Sequence, residues 1–115
     1  MKKLLTLKKN KEFHFVYRRG KAKASKDMTL VHVKSRYGGA RVGFSVSKKI
    51  GNSVVRNLVR RRLKEAYRKA LSDITQSYSL VFVARKGIEN ADFKQICSQM
   101  NYLLTKTGIK ESKKS

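Results

Sequence analysis

Two spacings of apolar residues alternate along this chain, and each change of spacing marks an element. After a Gly51-Asn52 turn, Val55, Val59, Leu63, Ala66 and Ala70 share one face of a helix of 3.6 residues per turn, while Arg56, Asn57, Arg60, Arg61, Lys64 and Arg68 occupy the opposite face. Ahead of that turn, residues 41–47 alternate as a strand. Near the start, Asn10 is the predicted cap of a short helix running to about Arg19 and closed by Gly20, with Phe13, Val16 and Tyr17 on one side. Extended segments follow at about 21–25 and 28–36, and Tyr37-Gly38-Gly39 reads as the turn into the 41–47 strand, so these three predict an antiparallel meander. Residues 79–85, with the apolar run Leu-Val-Phe-Val-Ala at 80–84, suit an interior strand expected to pair with the 41–47 strand. Asn90 is the predicted cap of a last helix in which Phe93, Ile96, Cys97, Met100, Leu103 and Leu104 form a stripe that must be buried on the sheet, ending at Gly108. The expected order is α-β-β-β-α-β-α, about four strands and three helices, in a single domain 1–115 with flexible ends at about 1–6 and 109–115.

Composition sharpens the class. Lys and Arg number 29 against 7 Asp and Glu, a net charge of +22 spread over the whole chain and not confined to a tail. Such a field is compatible with nucleic acid, an anionic membrane or an acidic protein. No stretch approaches the roughly 18 apolar residues of a spanning helix, and the apolar run after Met1 is broken at Lys8, short of a secretory signal. The expected location is the cytoplasm. Cys97 is the only cysteine, which excludes an internal disulfide and a Cys-based zinc site and leaves it as packing on the last helix. From Arg56 to Lys69, Glu65 is the only acid among seven Lys and Arg. A merely solvated helix mixes signs through i,i+4 pairs, so this face predicts a polyanionic partner.

At these residues the chain resembles the protein subunit of bacterial ribonuclease P. Val42, Gly43, Ser45, Val46, Ser47, Lys48, Lys49, Ile50 and Gly51 stand as in that family's strand and turn, and Arg56, Asn57, Arg60, Arg61, Lys64 and Glu65 stand at the spacing of its helix motif. The likeness extends over about residues 4–107. It implies an α+β two-layer sandwich with an unusual left-handed βαβ crossover, against the right-handed rule that holds in about 98% of cases. The family usually has a basic residue where Leu58 stands and an apolar one where Arg62 stands. A phosphate contact at 58 therefore does not follow from the resemblance, and Arg62 has to snorkel past the edge of the apolar stripe.

Two RNA surfaces follow. On the basic helix and its preceding turn, Arg56, Arg60, Arg61, Lys64 and Arg68 are candidates to hold phosphates, with Lys48 and Lys49 entering from the strand end. By resemblance this surface docks on the catalytic RNA subunit near its active centre. Asn57 both donates and accepts, so it either bridges to RNA or fastens the Gly51-Asn52 turn. The second surface is the sheet face beside the N-terminal helix, which in the family receives the single-stranded 5′ leader of precursor tRNA. Phe13 and Tyr17 are its candidates for stacking bases, joined by Ser45 and Ser47; the plainer alternative is that Phe13 and Val16 pin the helix to the core. A further aromatic expected on the second strand is replaced by Val31, with His32 one residue on.

No catalytic residue is assigned. Ser45 and Ser47 lack a His and carboxylate constellation, His14 and His32 stand without one, and seven scattered acids do not form a cluster for catalytic Mg²⁺. Glu89 and Asp92 read as favourable charges at a helix start. The expected enzyme is thus the ribonucleoprotein endonuclease, with Mg²⁺ bound mainly by RNA, none by the protein alone, and no obligatory protein partner. Its partners are the catalytic RNA and precursor tRNA. A basic ribosomal or nucleoid structural protein is the alternative from another class, and an independent nuclease a third.

Overall fold

The computed structural model describes residues 4–35, 39–74 and 76–110. Its elements are β1 (Leu5–Thr6), α1 (Asn10–Arg19), β2 (Lys21–Ala24), β3 (Met28–Lys34), β4 (Arg41–Ser45), α2 (Ser53–Ala70), β5 (Tyr78–Ala84) and α3 (Phe93–Lys106), with short 3₁₀ turns at Lys48–Ile50, Leu71–Asp73 and Ile88–Asn90. The expected α+β sandwich is present, with a five-stranded sheet where about four strands were expected. The added strand is β1, which pairs in parallel with β4 and is extended by the Leu7 amide donating to the Val42 carbonyl at 2.9 Å. Residues 5 and 6 are thus paired and do not belong to a loose end. Nor do Ile109 and Lys110: Ile109 is buried, and Lys110 Nζ lies 2.7 Å from Asn101 Oδ1 and 3.4 Å from Asp73 Oδ2. The expected fraying at 111–115 lies outside the described residues.

The three-stranded meander is not formed. The sheet order is β1-β4-β5-β3-β2, so β5 lies between β3 and β4, antiparallel to the first and parallel to the second. Only β2 and β3 form the expected hairpin. The physical reason lies in β5, whose Leu80, Val81 and Phe82 are all fully buried. A strand apolar on both faces gains most at the centre of a sheet, where both edges are paired and both faces covered. The proposed turn at 37–39 falls partly outside the described residues; Gly39 is described, with φ 83° and its amide donating to Ser77 Oγ at 3.0 Å.

One face of the sheet, formed by Met28, Leu30, Val42, Leu80 and Phe82, carries α2 and α3 and the main core. The other face holds a small cluster of Leu7, Val16, Val31 and Val81, which α1 covers, packing against β3 and β5. Two predicted caps shift. Asn10 is the first residue of α1, not its cap; Lys9 takes that place, and Glu12 Oε1 accepts from the Lys8 and Lys9 amides. In α3 the cap is Asp92 and not Asn90, which ends a 3₁₀ turn: Asp92 Oδ1 accepts from the Gln95 amide at 2.8 Å and Gln95 Oε1 from the Asp92 amide at 2.9 Å. A carboxylate serves there better than an amide because it also faces the positive end of the helix dipole.

Tyr67, fully buried, is the residue on which the two main layers meet. Its ring lies edge-on to Phe44 and Phe82 at 6.3 and 6.0 Å. Its hydroxyl has no hydrogen-bond partner among the described residues, and burial pushes its pKa well above the ordinary phenol value. Tyr67→Phe keeps the rings and removes an unsatisfied polar group, so thermal unfolding should show equal stability or a gain of about 1 kcal/mol. A clear loss would mean that the hydroxyl is bonded.

Candidate nucleic-acid interface

The basic surface is set up by the turn between β4 and α2. Ser47 precedes the 3₁₀ turn Lys48–Ile50, its carbonyl accepting from the Ile50 amide at 3.1 Å, the Ile50 side chain goes into the core, and Lys48 and Lys49 are left exposed at the strand end. Gly51 must follow, since a Cβ there would stand 2.9 Å from Val55 Cγ1. Asn52 then caps α2, its Oδ1 accepting from the Val55 amide at 3.0 Å. From that start the predicted faces separate: Val59, Leu63, Ala66 and Ala70 are buried, Val55 is half-buried, and Asn57, Arg60, Arg61, Lys64 and Arg68 are exposed.

Within that face the cations are not equivalent. Arg60 donates to Asn57 Oδ1 at 3.1 Å and to the Val46 carbonyl at 3.4 Å, which ties the helix to the end of β4. Asn57 thus holds Arg60; the fastening of the Gly51-Asn52 turn is done by Asn52 itself. Arg56 is half-buried, and its Nε has no hydrogen-bond partner among the described residues. Arg61 and Lys64 form no ion pair among the described residues, whereas Arg68 lies 3.9 Å from Glu65, both half exposed. An exposed pair of that length is worth little and is readily exchanged for a phosphate.

The second candidate surface is the face of the sheet that carries α1. Phe13 is half-buried, its ring lying on Gly43 of β4, where any Cβ would collide with it. Tyr17, one turn later, is 45% exposed, and Ser45 ends β4 with Ser47 two residues beyond it. Phe13 therefore contributes to the small core while Tyr17 is the freely presented ring. Val31 is buried beneath α1, and His32 points to the opposite face, where its ring lies edge-on to Tyr78 at 6.3 Å and burial lowers its pKa. Among the described residues no three His, Cys, Asp or Glu side chains converge as a metal site would require, and no helix is long and apolar enough to cross a membrane.

A family model described as Ribonuclease P matches residues 1–108. The chain belongs to the ribonuclease P protein family. It is 50% identical over 104 residues to the ribonuclease P protein component of Clostridium botulinum (strain 657 / Type Ba4), covering 90% of this chain and 94% of that one. To the component of Caldanaerobacter subterraneus subsp. tengcongensis it is 44% identical over 111 residues, with 96% of each covered. Among solved structures, the RNase P protein of Staphylococcus aureus superposes with a TM-score of 0.86 at 26% identity, covering 95% of this chain and all of that one. The RNase P protein from Thermotoga maritima, 22% identical with a TM-score of 0.80, shares the fold.

In this member of the ribonuclease P family, the exchange of residue types at 58 and 62 has a structural outcome that the sequence did not reveal. Arg62 Nη1 donates to the Ala91 carbonyl at 3.0 Å, so its charge is spent on joining α2 to the turn before α3. Leu58 is 39% exposed and Val54 75% exposed, so an apolar strip borders the cations. Cys97 packs, half-buried, against the main core, and burial raises its thiol pKa.

Proposed function

We propose that this chain is the RNA-binding component of ribonuclease P, holding the catalytic RNA subunit on the α2 surface and the 5′ leader of precursor tRNA on the α1 face of the sheet, and thereby assisting Mg²⁺-dependent removal of the leader. The observation that carries this reading is the outward face of α2, where Arg56, Arg60, Arg61, Lys64 and Arg68 stand with one acid, Glu65, and continue into Lys48 and Lys49. Arg56, Arg60, Arg61, Lys64 and Arg68 neutralise phosphates there, and Asn57 fixes the fork of Arg60 before RNA arrives. On the other surface Tyr17 and the edge of Phe13 offer rings to successive bases without reading their identity, and Ser45 and Ser47 offer hydroxyls to the backbone.

No side chain of the protein acts on the scissile bond. Hydrolysis belongs to the RNA with its Mg²⁺ ions, and the protein contributes by offsetting phosphate repulsion between two RNAs so that they approach. The working place of such a complex is the cytoplasm.

Reconstitution with the catalytic RNA at limiting Mg²⁺ tests this. Precursor tRNA should bind more tightly than mature tRNA, and Phe13→Ala with Tyr17→Ala should narrow the difference by about tenfold, since one stacked base is worth about 1–3 kcal/mol. Tyr17→Ala alone, at an exposed position, separates loss of stacking from loss of folding. Equal binding of the two RNAs by the wild-type complex would favour a general structural RNA-binding protein, and cleavage by the polypeptide alone an independent nuclease.

A further inference from the structure

The face of α1 turned away from Phe13 and Tyr17 carries its own pattern. Lys11, Phe15, Arg18 and Arg19 are spaced i, i+4, i+7 and i+8 and form one stripe, roughly half a turn of the wheel from the Phe13 side. Between this stripe and the far end of the sheet lies a groove of about 890 Å³, with Leu7 and Val33 as apolar lining and Ser79 and Lys34 as polar lining. It has a size suited to a nucleotide-sized ligand. Phe15 is 46% exposed, although the next residue, Val16, is fully buried.

Charge selects the occupant. Lys11, Arg18, Arg19 and Lys34 all line the groove, and Glu12 is the only acid among its residues. That carboxylate is engaged with its own helix start, accepting from the Lys8 and Lys9 amides at 3.2 and 2.9 Å. The groove therefore presents four cations around an open aromatic face. An acidic peptide would match the cations but leave the ring unused, whereas a single RNA strand offers a base for the ring and phosphates for the cations at every step.

We infer that the Phe15 groove is a second site for single-stranded RNA, stacking one base on Phe15 and holding the flanking phosphates with Arg18, Arg19 and Lys34. It goes beyond the leader reading, because α1 itself separates this groove from the Tyr17 side. A strand held here meets the opposite end of the sheet from Ser45 and Lys48, as β3 ends and β5 begins where β4 starts.

The chain contains no Trp, so Phe15→Trp introduces a single fluorescent reporter into the groove. Titration with an eight-residue oligouridine should quench it in a saturable manner. Inorganic polyphosphate of the same length, which has charge but no bases, should leave the emission nearly unchanged. Adding Arg19→Ala and Lys34→Ala in the Trp background should weaken the oligouridine response by about tenfold or more, while adding Tyr17→Ala should leave it intact. Absence of quenching in a variant with wild-type melting behaviour overturns the inference. So does an equal response to polyphosphate, which would mean charge alone, or a response lost with Tyr17→Ala, which would mean that only the leader side binds. The processing assay above is read without this reporter, so the two proposals fail separately.

Discussion

Replacing Arg56, Arg60 and Arg61 together by alanine is expected to lower affinity for the catalytic RNA by about 10²–10³ near 100 mM salt, and to reduce the slope of log affinity against log salt by about 2–3. Each of these side chains that neutralises a phosphate releases roughly one condensed counterion, so the number of lost contacts can be read from the slope itself. Arg60 should matter beyond its charge, because Asn57 and the Val46 carbonyl hold its guanidinium in one orientation. Arg56 should matter through the exposed part of its half-buried side chain, whose buried Nε has no hydrogen-bond partner among the described residues. Arg62→Ala is the control within the same helix. It removes one cation, but one that donates to the Ala91 carbonyl, so it should cost about 1.5–3 kcal/mol of folding stability with little change in the salt slope. If the triple variant kept the wild-type slope, α2 would not be the RNA surface.

Gln99→Leu should destabilise the fold by about 2–4 kcal/mol, although Gln99 belongs to neither candidate RNA surface. Gln99 Nε2 donates to Asp27 Oδ2 at 2.6 Å, and Gln99 Oε1 accepts from the Asp27 amide at 2.8 Å and from Ser25 Oγ at 2.6 Å. Asp27 is 6% exposed, the only buried charged or polar residue among the described residues apart from the buried tyrosines. Leucine fits the volume but leaves the buried Asp27 carboxylate and amide without that partner, while the half-buried Ser25 hydroxyl keeps the Met28 carbonyl at 3.1 Å. The neighbouring Arg85, whose amide donates to the Asp27 carbonyl at 2.9 Å and whose Nη1 donates to the Ser25 carbonyl at 3.1 Å, keeps the loop only partly anchored. Thermal unfolding should fall by about 10 °C or more, and amide exchange should quicken at residues 25–28. A variant with an unchanged midpoint would show that this network adds nothing net.

Both predictions depend on contacts of unequal legibility. The two faces of α2 are readable from spacing, because a helix imposes a fixed rotation per residue and the core removes apolar side chains from water wherever that rotation places them. The α3 stripe and the pairing of β5 with β4 are legible for the same reason. Strand order is not. Residues 28–34 and 41–45 are neighbours in sequence and suggest a hairpin, yet β5 enters between them because its side chains require cover on both faces. Nor does periodicity reveal that Glu12 and Asp92, not Asn10 and Asn90, serve the helix starts, since cap residues a position or two apart satisfy the same local pattern.

The sequence by itself determined that this is a cationic α+β protein with a one-sided basic helix and an aromatic N-terminal helix, because charge and period are properties of neighbours along the chain. Tertiary structure alone decided that Arg62 turns inward to Ala91, that Phe13 lies on Gly43 while Phe15 opens onto a second groove, and that Gln99 closes over Asp27. These join residues many positions apart, and which distant donor meets which acceptor follows only when the layers pack.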